Sequence, residues 1–170
     1  MNSSTRVLLV SLLSVAALAG CSKKVKEQPA PEPAPTPAPT APVADDGRYG
    51  PEDLDTDACL RQRVVYFDFD QDALKPEFQA IVACHAKYLR DRPSSRITLQ
   101  GHADERGSRA YNQGLGERRG NAVNSALQAA GGSASQLEVV SYGEERPVCT
   151  ESTESCWAQN RRVEIVYTAR

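Results

Sequence analysis

Residues 96–119 read RITLQGHADERGSRAYNQGLGERR and contain the clearest strand and helix patterns of the chain. Its first part, 96–100, alternates polar and apolar residues, which predicts a strand that a glycine ends. A polar loop over 102–109 leads into a long helix, predicted from about residue 111 to residue 130, where a Gly-Gly pair stops it. A strand that feeds a long helix indicates a helix packed on a sheet.

Four further elements are predicted on either side of this stretch. A first strand over 63–69 reads RVVYFDF, and a helix begins near Pro76 and ends at Pro93. Two more strands are predicted over 137–142 and 163–167. The order strand, helix, strand, helix, strand, strand predicts an α+β fold whose helices pack on a small mixed sheet.

The N-terminus carries the features of an export signal. An apolar run over 7–17 is too short to cross a bilayer, which predicts a signal peptide over 1–20. The sequence LAGC at 18–21 resembles the lipobox of bacterial lipoproteins and implies lipidation of Cys21. The alternative is an ordinary secretory signal in which the cysteine falls there by chance. By the same resemblance, Ser22 is compatible with delivery to the outer membrane.

A proline-rich segment separates the export signal from the folded part. Seven of the eleven prolines fall between Pro29 and Pro42, a spacing that excludes helix and sheet. Such a segment favours an extended spacer of roughly 3.1 Å per residue, or about 40 Å. The alternative is a ligand for an aromatic groove. The predicted organisation is a disordered linker over 21–57 and one domain over 58–170.

The charge of the chain argues against one class of partner. Its formal net charge is −2 at neutral pH. A nucleic-acid binder needs a basic surplus to neutralise phosphates, so no nucleic-acid partner is expected.

One residue breaks the apolar pattern of the long helix. Arg119 lies near the centre of its apolar stripe, and Asn112 lies on the same face; the stripe consists of Leu115, Ala122, Val123, Ala126 and Ala130. A core-facing guanidinium is unfavourable unless an anion pairs with it or a pocket opens beside it. Two interpretations follow: a binding recess, or an internal salt bridge from Arg119 to Asp104 that only fixes the loop.

Several separated motifs resemble the OmpA-like domain. They are Gly101 to Gly107, Tyr111-Asn112, Leu115 to Arg119, Ser141 to Gly143 and Asn160 to Ile165. The resemblance covers about residues 61–168 and implies a β-α-β-α-β-β sandwich. One departure is Gly120, where the family usually has alanine, and it is expected to loosen the helix locally.

The resemblance implies a ligand, the diaminopimelate residue of the peptidoglycan stem peptide. Its far end carries an ammonium and a carboxylate on one carbon. Asp104 would take the ammonium and Arg119 the carboxylate, by a planar bidentate pairing. The other implied pocket residues are Phe69, Asp70, Leu115 as an apolar wall and Asn112 as a positioning residue.

The resemblance implies an outer-membrane lipoprotein whose domain faces the periplasm. Its implied function is to hold the envelope to the cell wall. Its partners would be peptidoglycan, the outer membrane through acylated Cys21, and the periplasmic propeller protein of the Tol system. No cofactor, no metal and no enzyme activity are expected. Two alternatives stay open: a metal-dependent wall-modifying enzyme that uses His102 and Asp104, which form a cluster with Glu105, and an adaptor that recruits a protein partner.

The cysteines and the remaining histidine are read as structural. Besides Cys21 the chain has four cysteines, and the export signal implies that the domain lies in an oxidising compartment. An even number of cysteines in such a compartment predicts two disulfides. Three connectivities are possible, and we favour Cys149 with Cys156 and Cys59 with Cys84. A zinc site is the alternative, although no Cys-x-x-Cys pair is present. His85 lies on the apolar face of its helix and is predicted to be a hydrogen-bonded core residue.

Overall fold

The structure is a computed structural model that describes residues 47–170. The predicted signal peptide over 1–20, the lipidation site at Cys21 and the proline-rich segment over 29–42 lie outside the described residues. Within 47–170, no helix combines the length and the apolar character needed to cross a membrane.

The described chain alternates helices and strands in an order close to the predicted one. In sequence they are α1 (Asp53–Thr56), β1 (Val64–Tyr66), a 3₁₀ turn (Pro76–Phe78), α2 (Gln79–Asp91), β2 (Arg96–His102), α3 (Arg109–Ala129), a second 3₁₀ turn (Ala134–Gln136), β3 (Leu137–Gly143), α4 (Glu154–Asn160) and β4 (Arg162–Ala169). The two short helices α1 and α4 were not predicted from the sequence.

The four strands form one mixed sheet in the order β1-β4-β2-β3. β4 runs antiparallel to both β1 and β2, whereas β2 and β3 run parallel. Leu99, at the centre of β2, faces Ile165 on one side and Val139 on the other. The predicted α+β fold with a small mixed sheet is therefore confirmed. The predicted first strand over 63–69 is too long, because the chain leaves the sheet after Tyr66.

The core lies between this sheet and the helices α2 and α3. Both long helices contribute their predicted apolar faces, and α3 packs directly on β2 and β3. The buried cluster comprises Val65, Phe67, Val82, Ala86, Leu89, Ile97, Leu99, Val123, Leu127, Val163 and Ile165. Burying these side chains supplies the main stabilisation of the domain, at roughly 1.5–3 kcal/mol for each large one.

Close backbone approach between α3 and the sheet depends on glycine. A Cβ atom on Gly101 would overlap the backbone carbonyl of Gly116 in α3. A Cβ atom on Gly120 would lie 2.5 Å from Cγ1 of Val139 in β3. α3 runs through Gly120 without a break, and Gly120 lets the helix lie close to β3. The local loosening of the helix at Gly120 stays a prediction.

The boundary of the domain lies earlier than residue 58. The side chain of Leu54 in α1 is fully buried, and it clusters with Leu60 and Tyr88. The backbone N–H of Tyr49 donates to the Asp91 carboxylate over 2.9 Å. The prediction of a disordered linker up to residue 57 is therefore wrong for this segment, because an apolar side chain and a hydrogen bond attach it to α2.

Both predicted disulfides are present. Cys59 is bonded to Cys84, and Cys149 is bonded to Cys156. The first joins the segment before β1 to α2, and the second joins the loop after β3 to α4. The alternative of a zinc site is wrong, because all four thiols are used in disulfides.

A recess lined by opposite charges

The six predicted site residues meet in one recess of about 210 Å³. It lies between the loop after β1, the loop after β2 and the first half of α3. Its walls are formed by Phe69, Asp70, Asp104, Arg106, Gly107, Tyr111, Asn112, Leu115 and Arg119. The volume is below the roughly 300–1,000 Å³ of pockets for drug-sized ligands, so it suits the end of one amino-acid side chain.

Arg119 projects inward from α3, as its place on the apolar stripe predicts. The side chain is fully buried, and three of its nitrogens donate to backbone carbonyls. Nε bonds Gln71 at 2.8 Å, Nη1 bonds His102 at 2.8 Å and Nη2 bonds Asp68 at 3.1 Å. Burial lowers the pKa of Arg119 to about 10, so it stays charged at neutral pH. A guanidinium has five N–H groups, so two of those on Arg119 have no acceptor within residues 47–170.

Asp104 lies on the loop after β2, with its side chain 5% exposed. Its partners are the side chain and backbone N–H of Arg106 and the side chain of Arg161. Burial alone would raise the pKa of Asp104, but these hydrogen bonds hold it below its ordinary value. The alternative of an Arg119–Asp104 salt bridge is wrong, because within residues 47–170 the two side chains form no ion pair.

Asn112 holds the loop that carries Asp104. Its buried amide nitrogen donates to the backbone carbonyls of Asp104 and Arg106, at 3.1 and 3.2 Å. The same nitrogen contacts the carboxylate of Glu144. The side chain therefore joins α3, the loop after β2 and the loop after β3. Its role as a positioning residue for the ligand stays a prediction.

The mouth of the recess is aromatic. Phe69 and Tyr111 are 54% and 46% exposed, whereas Leu115 is buried in the wall. Asp70 adopts a left-handed backbone conformation with φ 55°, and it accepts a hydrogen bond from the Tyr111 hydroxyl. That bond raises the pKa of Tyr111. The turn at Asp70 thus brings a second carboxylate to the recess.

Three lining residues were not predicted: Arg106, Gly107 and Tyr111. All three occur in motifs quoted above, but no feature of the sequence pattern indicated that they line the recess. The Arg106 guanidinium lies between the rings of Phe69 and Trp157, with ring centroids 4.0 and 4.1 Å from its central carbon. Trp157 belongs to α4, which periodicity did not reveal, so this contact was not visible in the sequence.

The side chains of the two histidines do not line the recess. His85 is buried, with Nδ1 2.8 Å from the Tyr167 hydroxyl and Nε2 2.9 Å from the carbonyl of Gln62, which confirms it as a core residue. His102 is 2% exposed, and neither ring nitrogen has a hydrogen-bond partner in the described part of the chain. No group of three potential metal ligands occurs within residues 47–170. The metal-dependent enzyme therefore gains no support from this geometry.

A sequence profile described as the OmpA family matches residues 66–161, more than half of the chain. The chain belongs to the OmpA family. The matched region of this OmpA-family chain contains all nine residues of the recess. The resemblance seen in the sequence motifs is thereby confirmed.

Relatives within the OmpA family extend the similarity beyond this domain. The peptidoglycan-associated lipoprotein of Pseudomonas aeruginosa is 42% identical over 154 residues, which cover 90% of this chain and 91% of that protein. The protein of the same name from Pseudomonas putida is 44% identical with the same coverage. The crystal structure of the peptidoglycan-associated lipoprotein from Burkholderia pseudomallei superposes with a TM-score of 0.67 at 43% identity, over 68% of this chain and 98% of that chain.

Proposed function

We propose that this chain is an outer-membrane lipoprotein that holds the envelope to the cell wall by binding the peptidoglycan stem peptide without a covalent bond. One observation carries the proposal: a carboxylate, Asp104, and a buried guanidinium, Arg119, line one small recess. The relatives named as peptidoglycan-associated lipoproteins support the same conclusion. These names describe wall association, which favours binding over catalysis.

The proposed ligand group is the far end of diaminopimelate, which carries an ammonium and a carboxylate on one carbon. Asp104 pairs with the ammonium, and the two remaining N–H groups of Arg119 pair with the carboxylate. Phe69 and Leu115 contact the methylene groups of the ligand, and Asp70 adds negative charge near the ammonium. A neutral group of the same shape cannot pair with either charge, so the recess selects a zwitterion.

The proposed anchor is an acylated Cys21. With two or more acyl chains the attachment is firm, because each buried methylene contributes about 0.8 kcal/mol. The proline-rich segment over 29–42 then spaces the domain from the membrane, on the periplasmic side. A chain attached to the membrane at one end and to the wall at the other resists their separation.

A second proposed partner is the periplasmic propeller protein of the Tol system. Its support is the family resemblance, together with relatives of the same lipoprotein name. Crosslinking in intact cells tests this partner, and the absence of any crosslink at the exposed surface of the domain would contradict it.

Titration of the full chain with three stem peptides tests the ligand. They contain diaminopimelate, its analogue amidated at the far carboxylate, and lysine, which lacks that carboxylate. We expect both analogues to bind at least about tenfold more weakly than the diaminopimelate peptide, since a hydrogen bond to a charged group contributes roughly 1.5–3 kcal/mol. Equal affinity for all three peptides would refute the role of Arg119 without any variant that perturbs the fold.

Retention on isolated cell-wall sacculi tests the protein side. Asp104→Asn removes the negative charge that pairs with the ammonium, and we expect this variant to be retained less on the sacculi. Arg118→Ala is the matched control for Arg119→Ala, because Arg118 is adjacent and 49% exposed and pairs with Asp72 outside the recess. We expect Arg118→Ala to bind as the wild type does. Unchanged retention of both the Asp104 and the Arg119 variants would overturn the assignment.

A further inference from the structure

The carboxylate of Asp104 has no free acceptor position. Oδ1 accepts from the backbone N–H and from Nε of Arg106, at 3.0 and 3.1 Å. Oδ2 accepts from Nη2 of Arg106 at 2.7 Å and from Nη1 of Arg161 at 3.3 Å. An ionised carboxylate offers about four lone-pair sites, and all of them are used. An ammonium therefore reaches Asp104 only if one of these donors leaves.

The side chain of Arg106 is the donor that can leave. The Arg161 side chain is 6% exposed, and it also donates to the carbonyl of Phe67 at 3.1 Å and to Glu154 at 2.7 Å. Moving Arg161 would break buried bonds. The Arg106 side chain is 30% exposed and pairs with Asp104 as a flat fork from the solvent side. Its departure keeps Asp104 bonded to the Arg106 backbone and to Arg161.

We propose that Arg106 is a built-in competitor for the ligand's cation. Its guanidinium occupies the ammonium position at Asp104, and binding of the stem peptide displaces it. The inference rests on the proposed function and adds the regulation of that site. A ligand without a cation cannot replace the Arg106 charge at Asp104, so the competition also rejects uncharged and purely anionic groups.

Two aromatic rings and a carboxylate hold Arg106 in this position. Its guanidinium stacks between Phe69 and Trp157, and Nη1 lies 3.5 Å from Glu154. Displacement frees the face of Phe69, which also lines the recess, to contact the ligand's methylene groups. Displacement also changes the surroundings of Trp157, which is the only tryptophan of the chain. Tryptophan fluorescence therefore reports the position of Arg106.

The test compares Arg106→Met with wild type by titration of the full chain with the diaminopimelate stem peptide. Methionine keeps an apolar chain between the two rings and removes the competing charge. We expect affinity to rise about two- to fivefold, the factor that corresponds to losing a partly exposed ion pair. Arg109→Met is the matched control, because Arg109 carries the same charge, is 76% exposed and pairs with Glu145 away from the recess.

Fluorescence of wild-type Trp157 gives a second readout that needs no variant. Saturation with the peptide should change its emission, and the change should be lost in Arg106→Met. The inference is overturned if Arg106→Met binds no better than Arg109→Met, or if wild-type emission stays constant at saturation. Absence of peptide binding by wild type and every variant would instead refute the proposed function, and the inference with it.

Discussion

Nη1 of Arg161 lies 3.3 Å from Oδ2 of Asp104, and their side chains are 6% and 5% exposed. Arg161 also donates to the carbonyl of Phe67 and to the carboxylate of Glu154. One side chain thus connects the loop after β1, the loop after β2 and helix α4. This pair fixes the Asp104 carboxylate at the recess while the Arg106 side chain exchanges.

Arg161→Ala should destabilise the domain strongly. The substitution leaves the buried carbonyl of Phe67 without its donor and removes one donor of the Asp104 carboxylate, and an unsatisfied buried polar group costs about 1–3 kcal/mol. Urea denaturation of the full chain measures the change in the free energy of unfolding. Arg170→Ala is the control, because that side chain is 50% exposed and its pair with Asp55 should contribute under about 1 kcal/mol. Equal effects of the two substitutions would contradict a structural role for Arg161.

Stability should decrease as the pH falls from 6.5 toward 4, and His102 is one cause. Burial, followed by the charge of Arg162, lowers the pKa of His102 from 6.5 to about 4 in the folded chain. In this window the unfolded chain binds a proton and the folded chain does not, so protonation favours unfolding. The contribution of neutral His102 to the free energy of unfolding is complete above pH 6.5 and is lost as the pH approaches 4.

His102→Phe tests this assignment. Phenylalanine can keep the stacking of this position on Tyr142 and does not titrate. The free energy of unfolding, measured by urea at several pH values in the same window, should depend less on pH than in wild type. Part of the dependence should remain, because burial also lowers the pKa of His85. Identical pH dependence in the variant and in wild type would exclude His102 as a cause.

The sequence was informative where local pattern and burial agree. Helix α3 was predicted within about two residues of its bounds, and Arg119 was predicted to face inward because its neighbours on that face are apolar. The three backbone carbonyls that Arg119 bonds come from the loop after β1 and the end of β2, and no spacing in the sequence specifies them. The position of the recess could therefore be predicted from the sequence, whereas its hydrogen bonds could not.

The parts that were missed depend on tertiary contacts. Helix α4 has seven residues in a segment rich in Glu, Ser and Thr, and a disulfide attaches it to the preceding loop. Helix α1 has four residues and forms around a single buried leucine, Leu54. Elements this short carry too little periodicity to be recognised, and they are stabilised by what they pack against. Arg106 was missed for a related reason, since half of its aromatic sandwich comes from α4.

The two disulfides should have separable effects. Their sequence separations are 25 residues for Cys59–Cys84 and 7 for Cys149–Cys156. In the loop-entropy description, losing the first costs about 3.5 kcal/mol and losing the second about 2.5 kcal/mol. Double serine variants of each pair, compared by urea denaturation, measure both values.

Peptide binding should respond only to the second pair. Cys149–Cys156 attaches α4, which carries Trp157 and Glu154, the residues that hold Arg106. Serine at both positions should loosen Arg106 and alter affinity for the stem peptide. Cys59–Cys84 lies outside the residues of the recess, so its removal should leave affinity unchanged in chains that remain folded. A change in affinity of the same size for both pairs would exclude a specific link through α4.

Two glycine-to-alanine substitutions, one where β2 meets α3 and one on α3 away from the sheet, should change stability in opposite directions. A methyl group on Gly101 would overlap the backbone carbonyl of Gly116, and backbone cannot rotate away as a side chain can. Helix α3 would have to shift from β2, and with it Arg119, which donates to three backbone carbonyls in the loop after β1 and at the end of β2. We expect Gly101→Ala to lose about 1–3 kcal/mol, the range for overpacked cores, and to weaken peptide binding.

Gly114→Ala is the matched partner, because it adds the same methyl group to α3 itself. The added Cβ would meet only the end of the exposed Arg118 side chain, at 3.5 Å, which is ordinary contact. Replacing glycine by alanine inside a helix removes conformational freedom from the unfolded chain, so this variant should gain about 0.5–1 kcal/mol. Thermal and urea unfolding of both variants measure the difference. If both substitutions destabilise equally, the close approach of Gly101 and Gly116 does not position α3 on the sheet.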